Sequence, residues 1–167
     1  MTLNNYWEKV LNRYRFSTVW WTAAENERVW AALADYAKWP TWWRGIQSVE
    51  VLRHGDESGV GTILRQQWRS WVPYTLVFDL EMLRIEGEKL LDGRASGDLE
   101  GACRWMLAPV QGGTELRFAV DIRTSRWWMN LPVPFASRVV QSNFDAIMTW
   151  GRQGLARMLG APVKLCL

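Results

Sequence analysis

The stretch FASRVVQSNFDAIMTWGRQGLARML, Phe135 to Leu159, runs without proline between Pro132-Val133-Pro134 and Gly160-Ala161-Pro162. Proline before and glycine after are the usual limits of a helix, so one long helix is predicted from about Phe135 to Leu159. At 100° per residue, Arg138, Gln141, Ser142, Asp145, Thr149, Arg152 and Ala156 share one stripe. The opposite face holds Ala136, Val139, Val140, Asn143, Ile147, Trp150, Gly151, Gly154 and Met158, with Asn143 at its middle. A helix of this kind is about 37 Å long at a rise of ~1.5 Å per residue, and needs an apolar surface of similar length.

The residues before it supply that surface. From Ile46 to Thr124 six strand-like runs are joined by links at His54 to Glu57, Trp71 to Pro73, Glu86 to Glu88, Leu99 to Gly101 and Gln111 to Gly113. Links this short favour antiparallel neighbours. Thr62, Leu64, Gln66 and Trp68 alternate with Arg65, Gln67 and Arg69, and Tyr74, Leu76, Phe78, Leu80 and Met82 alternate with Asp79 and Glu81. Leu116, Phe118, Val120 and Ile122 alternate with Glu115, Arg117, Asp121 and Arg123 in the same way, so one face is apolar and the other wet. In Leu90 to Asp98 either Gly93, Ala95 and Gly97 or Asp92, Arg94 and Ser96 could point inward, and the small residues are the better choice.

Tyr14 to Trp21 adds a strand, being β-branched and aromatic. Thr22-Ala23-Ala24-Glu25 then reads as a capping box opening a helix to about Asp35, with Val29, Trp30 and Leu33 inward. Trp39-Pro40 interrupts that helix and leaves a short helical pair. Leu3, Tyr6, Trp7, Val10, Leu11 and Tyr14 recur at helical spacing, which predicts a short opening helix docked on the domain. The expected fold is α+β: a seven-stranded antiparallel curved sheet gripping a long C-terminal helix, with two short helices after the first strand. A single domain over 1–167 is expected, with the helix at 1–13, the core at 14–160 and a tail at 161–167.

The composition fits a folded domain: 167 residues, 49% hydrophobic and 22% charged, exclude a disordered chain or a bundle of membrane spans. The net charge of +3 is spread among interleaved acids and bases, which argues against a nucleic-acid partner. Cys103 and Cys166 have no metal-ligand spacing and imply no disulfide framework, so a reduced, cytoplasmic setting is expected. Tryptophan is the unusual residue, at 13 copies against 5 Phe and 4 Tyr. Each indole buries on the order of 200 Å², so the interior is either aromatic-lined or packed with oversized side chains.

One helix cannot fill the concave side of such a sheet, and Ala136, Gly151 and Gly154 thin its inner face further. A cavity is therefore expected between sheet and helix. Its candidate ligand-binding walls are Leu64, Gln66, Trp68, Tyr74, Leu76, Phe78, Leu80, Trp105, Phe118, Val120, Asn143 and Ile147. A mostly apolar pocket with a few orienting polar groups suits a small hydrophobic molecule. The same residues also suit a solid core in which the indoles fill the space.

Catalytic and metal chemistry finds little support. The sole histidine, His54, lies in the turn-like Arg53-His54-Gly55-Asp56, and a metal site needs several convergent ligands. Gly59-Val60-Gly61-Thr62 lacks the third glycine of a dinucleotide fingerprint and opens a strand, so no cofactor is expected. Asp98 and Glu100 read as a solvated turn. Two aromatic segments, Trp71-Val72-Pro73-Tyr74 and Arg126-Trp127-Trp128-Met129, are predicted at loops, where they could frame the cavity mouth or touch a partner or a membrane surface.

A family resemblance rests on Val29-Trp30 and Asp35, Trp39-Pro40, Trp42-Trp43 and Gly45, and Gly59-Val60-Gly61. It is completed by Gly97-Asp98-Leu99-Glu100-Gly101 leading to Trp105, and by Trp128-Met129-Asn130 before the last helix. In this order they resemble the START/SRPBCC superfamily, the helix-grip fold shared with the birch-pollen allergen, and especially its bacterial polyketide cyclase/dehydrase-like branch. The resemblance covers about Tyr14 to Leu159. It implies binding of lipids, sterols, polyketides, hormones or quinones in the grip cavity, with cyclisation or dehydration in a minority of members. Many relatives place a His beside the Asn of the long helix, whereas this chain has Asn143-Phe144. The expected function is therefore binding or carriage of a small hydrophobic ligand. The alternatives are a cyclase or aromatase in which Tyr74, Gln66, Asn143 or Arg94 orients a reactive chain, and an adaptor acting through the Trp loops. Arg94 or Asp98 inside the cavity would favour chemistry.

Overall fold

A computed structural model describes residues 13–124 and 133–166 of the chain. Strand β1 (Arg13–Thr22) leads into helix α1 (Asn26–Ala34), a 3₁₀ turn (Tyr36–Lys38) and the one-turn helix α2 (Trp39–Trp42). Six strands follow: β2 (Ile46–Arg53), β3 (Ile63–Arg69), β4 (Thr75–Glu86), β5 (Leu90–Gly97), β6 (Leu99–Val110) and β7 (Gly113–Thr124). Helix α3 (Val133–Leu159) and strand β8 (Val163–Cys166) complete the chain. All neighbouring strands are antiparallel, in the order β2-β3-β4-β5-β6-β7-β1-β8. This is an α+β helix-grip fold, a curved sheet with a long C-terminal helix and short helices after the first strand.

Alternation sets the two faces as the sequence predicts. Leu64 and Gln66 are buried while Arg65, Gln67 and Arg69 are exposed, and Leu76, Phe78, Leu80 and Met82 form the inner row of β4. The outer face carries cross-strand ion pairs at register positions, Arg65 with Asp79 at 2.8 Å and Arg104 with Asp92 at 2.6 Å. Exposed pairs of this kind add only ~0–1 kcal/mol each, so they hold register more than they hold the fold. In β5 the small residues Gly93 and Ala95 are buried and Arg94 is exposed. The tight reversal from β5 to β6 sits at Asp98, one residue earlier than the predicted link. In β6, Gly101 has φ +144°, and a Cβ there would stand 2.1 Å from the Asp121 carbonyl oxygen, so the close approach of β6 to β7 requires glycine.

Three expectations change, and a fourth lies outside the described residues. The tail is not free: Gly160, at φ +63°, turns the chain back, and Val163–Cys166 pairs with Val19–Thr22 as an eighth strand. Four residues are too few for a readable alternation. The capping box does not form, because Thr22 is fully buried as the last residue of β1 and its hydroxyl accepts from the Ala24 N–H within the turn. Helix α1 begins after Glu25 with no side-chain cap. The inner face of α3 is rotated from the predicted one: Met148 and Leu155 are buried and Met158 is exposed. The predicted opening helix at 1–13 lies almost wholly outside the described residues, and Arg13 itself starts β1.

The two helix glycines also have a different use from the one expected. A Cβ on Gly154 would stand 1.8 Å from the Trp42 carbonyl oxygen, and one on Gly151 would stand 2.3 Å from Trp43 Cε2. The room they create is therefore filled by α2 and the residue after it. The Trp43 indole N–H donates to the Ile147 carbonyl at 2.8 Å, which fixes the ring against α3.

Candidate functional site

The inner faces of β3 to β7, the short helices and α3 line an apolar cavity of about 100 Å³. Gln66 and Trp68 come from β3, Phe78, Leu80 and Met82 from β4, and Leu91, Gly93 and Ala95 from β5. Leu99, Cys103 and Trp105 come from β6, and Phe118, Val120 and Ile122 from β7. Tyr36, Trp39 and Trp43 close it from the helical pair and Phe144 from α3. The rings form a continuous wall, with centroids 5.7 Å apart for Trp43 and Trp68, 6.1 Å for Trp43 and Trp105, and 4.6 Å for Trp105 and Phe118. Indoles thus fill much of the space between sheet and helix, but not all of it.

Seven residues of the predicted wall line this cavity: Gln66, Trp68, Phe78, Leu80, Trp105, Phe118 and Val120. The other five do not. Leu64 and Ile147 are in the solid part of the core, and Leu76 belongs to a second cluster with Phe78, Ala95 and Val140. Tyr74 donates its hydroxyl proton to Asp98 at 3.0 Å. The Asn143 side-chain oxygen accepts from the Ser70 hydroxyl, so this residue ties α3 to the β3–β4 link. Met82, Leu91, Cys103 and Ile122 were recoverable by extending each strand's alternation to its end. Phe144 was not, because at 100° from Asn143 it sits at the edge of the helical stripe and only its length carries it inward.

Among the described residues no charged side chain lines the cavity. Arg94 is exposed, and Asp98, although buried, accepts from the Val77 N–H at 2.9 Å as well as from Tyr74, holding the β5–β6 reversal to β4. Two weakly acidic groups are present. Burial pushes the Cys103 thiol up to about 12, with the Asp92 carboxylate adding to the effect, and burial also raises Tyr36 above the ordinary phenol value. Both stay neutral at physiological pH. The indole N–H of Trp68 donates to Gln66 Oε1 at 2.6 Å, and Gln66 Nε2 is buried without a partner among the described residues.

A second, wetter groove of about 500 Å³ lies between β1 and α3, with Arg15, Asp145 and Arg152 among its polar residues. Phe144 lines both spaces. Its ring stacks on Phe16 at 4.5 Å and lies nearly parallel to Phe118 at 6.3 Å, so one side chain stands between the inner cavity and the outer groove.

His54 is exposed, and among the described residues no three His, Cys, Asp or Glu side chains gather as metal ligands. Trp71 is 55% exposed at the β3–β4 link, whereas Arg126 to Met129, and with them the Trp128-Met129-Asn130 motif, lie outside the described residues. No described helix is long and apolar enough to cross a membrane.

A curved antiparallel sheet, a gripping helix and an aromatic cavity between them define the helix-grip class of fold. Residues 15–159 match the family described as polyketide cyclase/dehydrase and lipid transport, and the chain belongs to that family. Its fold is similar to that of the Zhui aromatase/cyclase from Streptomyces sp. R1128, with a TM-score of 0.71 at 14% identity over 87% of this chain and 93% of that one. A START superfamily protein from Mycobacterium smegmatis gives a TM-score of 0.65 at 14% identity, covering 83% and 93% of the two chains. Ara h 8.0201 gives 0.62 at 18% identity, covering 89% and 99%. At such identities the likeness concerns the fold alone. No curated protein matches the chain in sequence.

Proposed function

We propose that the chain binds a small hydrophobic molecule in the cavity between its sheet and α3, inserting about one ring there and passing any remainder beyond Phe144 into the outer groove. The observation that carries this reading is the cavity itself: aromatic-walled, apolar and without a charged described side chain. An apolar cavity of ~150 Å³ stays dry and takes up benzene, so a space of about 100 Å³ suits a single ring rather than a whole sterol or polyketide. Ligand pockets generally span ~300–1,000 Å³, a range reached here only if inner cavity and groove are joined. Binding is favoured over cyclisation because Arg94 and Asp98, the charged groups best placed in sequence to steer a reactive chain, are turned outward or engaged in the fold.

Toluene provides the test. Titrated into ¹⁵N- and ¹³C-methyl-labelled protein, it is expected to shift Leu80, Val120 and Ile122 saturably, and Ala95→Phe, which fills the cavity from β5, is expected to abolish those shifts. Equal responses in the two proteins, or none in either, would overturn the reading.

A further inference from the structure

Gln66 is 0% exposed, in the middle of β3 and facing Phe78 across the ladder. A primary amide carries two N–H donors and a carbonyl acceptor, and which end points where is decided here by its neighbour. The Trp68 indole N–H is a donor only, and it lies 2.6 Å from Gln66 Oε1. The carbonyl is therefore committed to Trp68, and the amide is locked with its NH₂ group on the other side. That NH₂ nitrogen is buried and has no partner among the described residues, on a residue that lines the cavity.

Buried donors in folded proteins are nearly always satisfied, by protein or by water. A water molecule is a poor solution at this position, because an ordered buried water needs two to four polar partners, and the rest of the described lining is apolar but for Tyr36, Cys103 and the indole N–H groups, of which those of Trp39, Trp43 and Trp68 already donate elsewhere. A molecule that is apolar over most of its surface and carries one acceptor oxygen satisfies both the donor and the walls. An anionic oxygen does not fit, since the described lining offers no cation to compensate a buried carboxylate.

Resting on the reading of this cavity as a binding site, we infer that its ligand class is neutral and ring-bearing with a carbonyl or ether oxygen. Gln66 Nε2 is the donor that selects for that oxygen. Trp68 acts as the positioning residue, holding the amide in the orientation that presents its N–H groups.

Acetophenone and α-methylstyrene test this, since they have the same shape and differ in C=O against C=CH₂. Wild-type protein is expected to bind acetophenone about tenfold more tightly, the ratio that a net hydrogen bond of ordinary strength gives. The Gln66 side-chain amide resonances are expected to move with acetophenone and to stay in place with α-methylstyrene. Gln66→Met, of similar length and without donors, is expected to bind the two equally. Equal wild-type affinities with unmoved Gln66 resonances would overturn the role of Gln66 while leaving the cavity a hydrophobic site. Binding of neither compound would overturn the cavity reading and this inference with it. The amide resonances decide the question in wild type even if Gln66→Met does not fold.

Discussion

Gly154 shows how a single residue can carry the opposite meaning from its usual one. In an exposed helix interior Gly→Ala stabilises by ~1 kcal/mol. Here the added methyl would meet the backbone oxygen of Trp42, which cannot rotate away. Gly154→Ala is expected to destabilise the protein by ~1–3 kcal/mol, as overpacked cores do. For a chain of this size that lowers Tm by ~2–4 °C per kcal/mol. Calorimetry beside the exposed control Gln153→Ala checks it, and an unchanged or higher Tm for Gly154→Ala would show that α2 can yield. Asn143 teaches a related lesson, because a polar residue on an apolar stripe can serve the fold: it accepts from Ser70 on the β3–β4 link.

Among the elements, the six consecutive strands from Ile46 to Thr124 were legible because each runs seven residues or more between short links, and β3, β4 and β7 alternate clearly. β8 was not, having four residues, and its place beside β1 is set by the turn after α3 and not by its own pattern. The junction of β1 and β7 is clamped from outside by Asp121, which receives Arg13 through two contacts of 2.5 Å and Arg15 at 3.0 Å. These bonds hold the Asp121 carboxyl down to about 2 from an ordinary 3.8. A carboxylate with a depressed folded value contributes its stability above the unfolded value and loses it as pH falls through the folded one. The stability difference between wild type and Asp121→Asn is therefore expected to shrink from pH 4 toward pH 2, and to shrink further with added salt. Acid unfolding curves measure it, and a difference constant across that window would refute the clamp.

For the molecule as a whole, fold and site differ in how much the sequence discloses. Periodicity fixes which face of a strand is inward, and that was enough to place seven of the cavity's residues from four strands. It says nothing about how far a side chain reaches or which inward residues meet each other, so Tyr36, Trp39, Trp43 and Phe144, which arrive from helices, were missed. Phe144 alone of these lines both the inner cavity and the outer groove. Phe144→Ala is expected to merge the inner cavity with the outer groove and allow naphthalene to bind where wild type binds it weakly or slowly. Its cost in stability should be up to ~3–5 kcal/mol, the usual range for Phe→Ala. Isothermal titration with naphthalene tests this, and identical binding in the two proteins would show that the ring is no barrier. The indoles at the cavity have one more consequence. Trp39, Trp43, Trp68 and Trp105 all border it, and centroid separations of about 6 Å link Trp39 to Trp43 and Trp43 to both Trp68 and Trp105. Excitation absorbed by one will pass among them, so a conjugated guest touching any member quenches the group, and the protein's native ultraviolet emission becomes a dye-free gauge of occupancy.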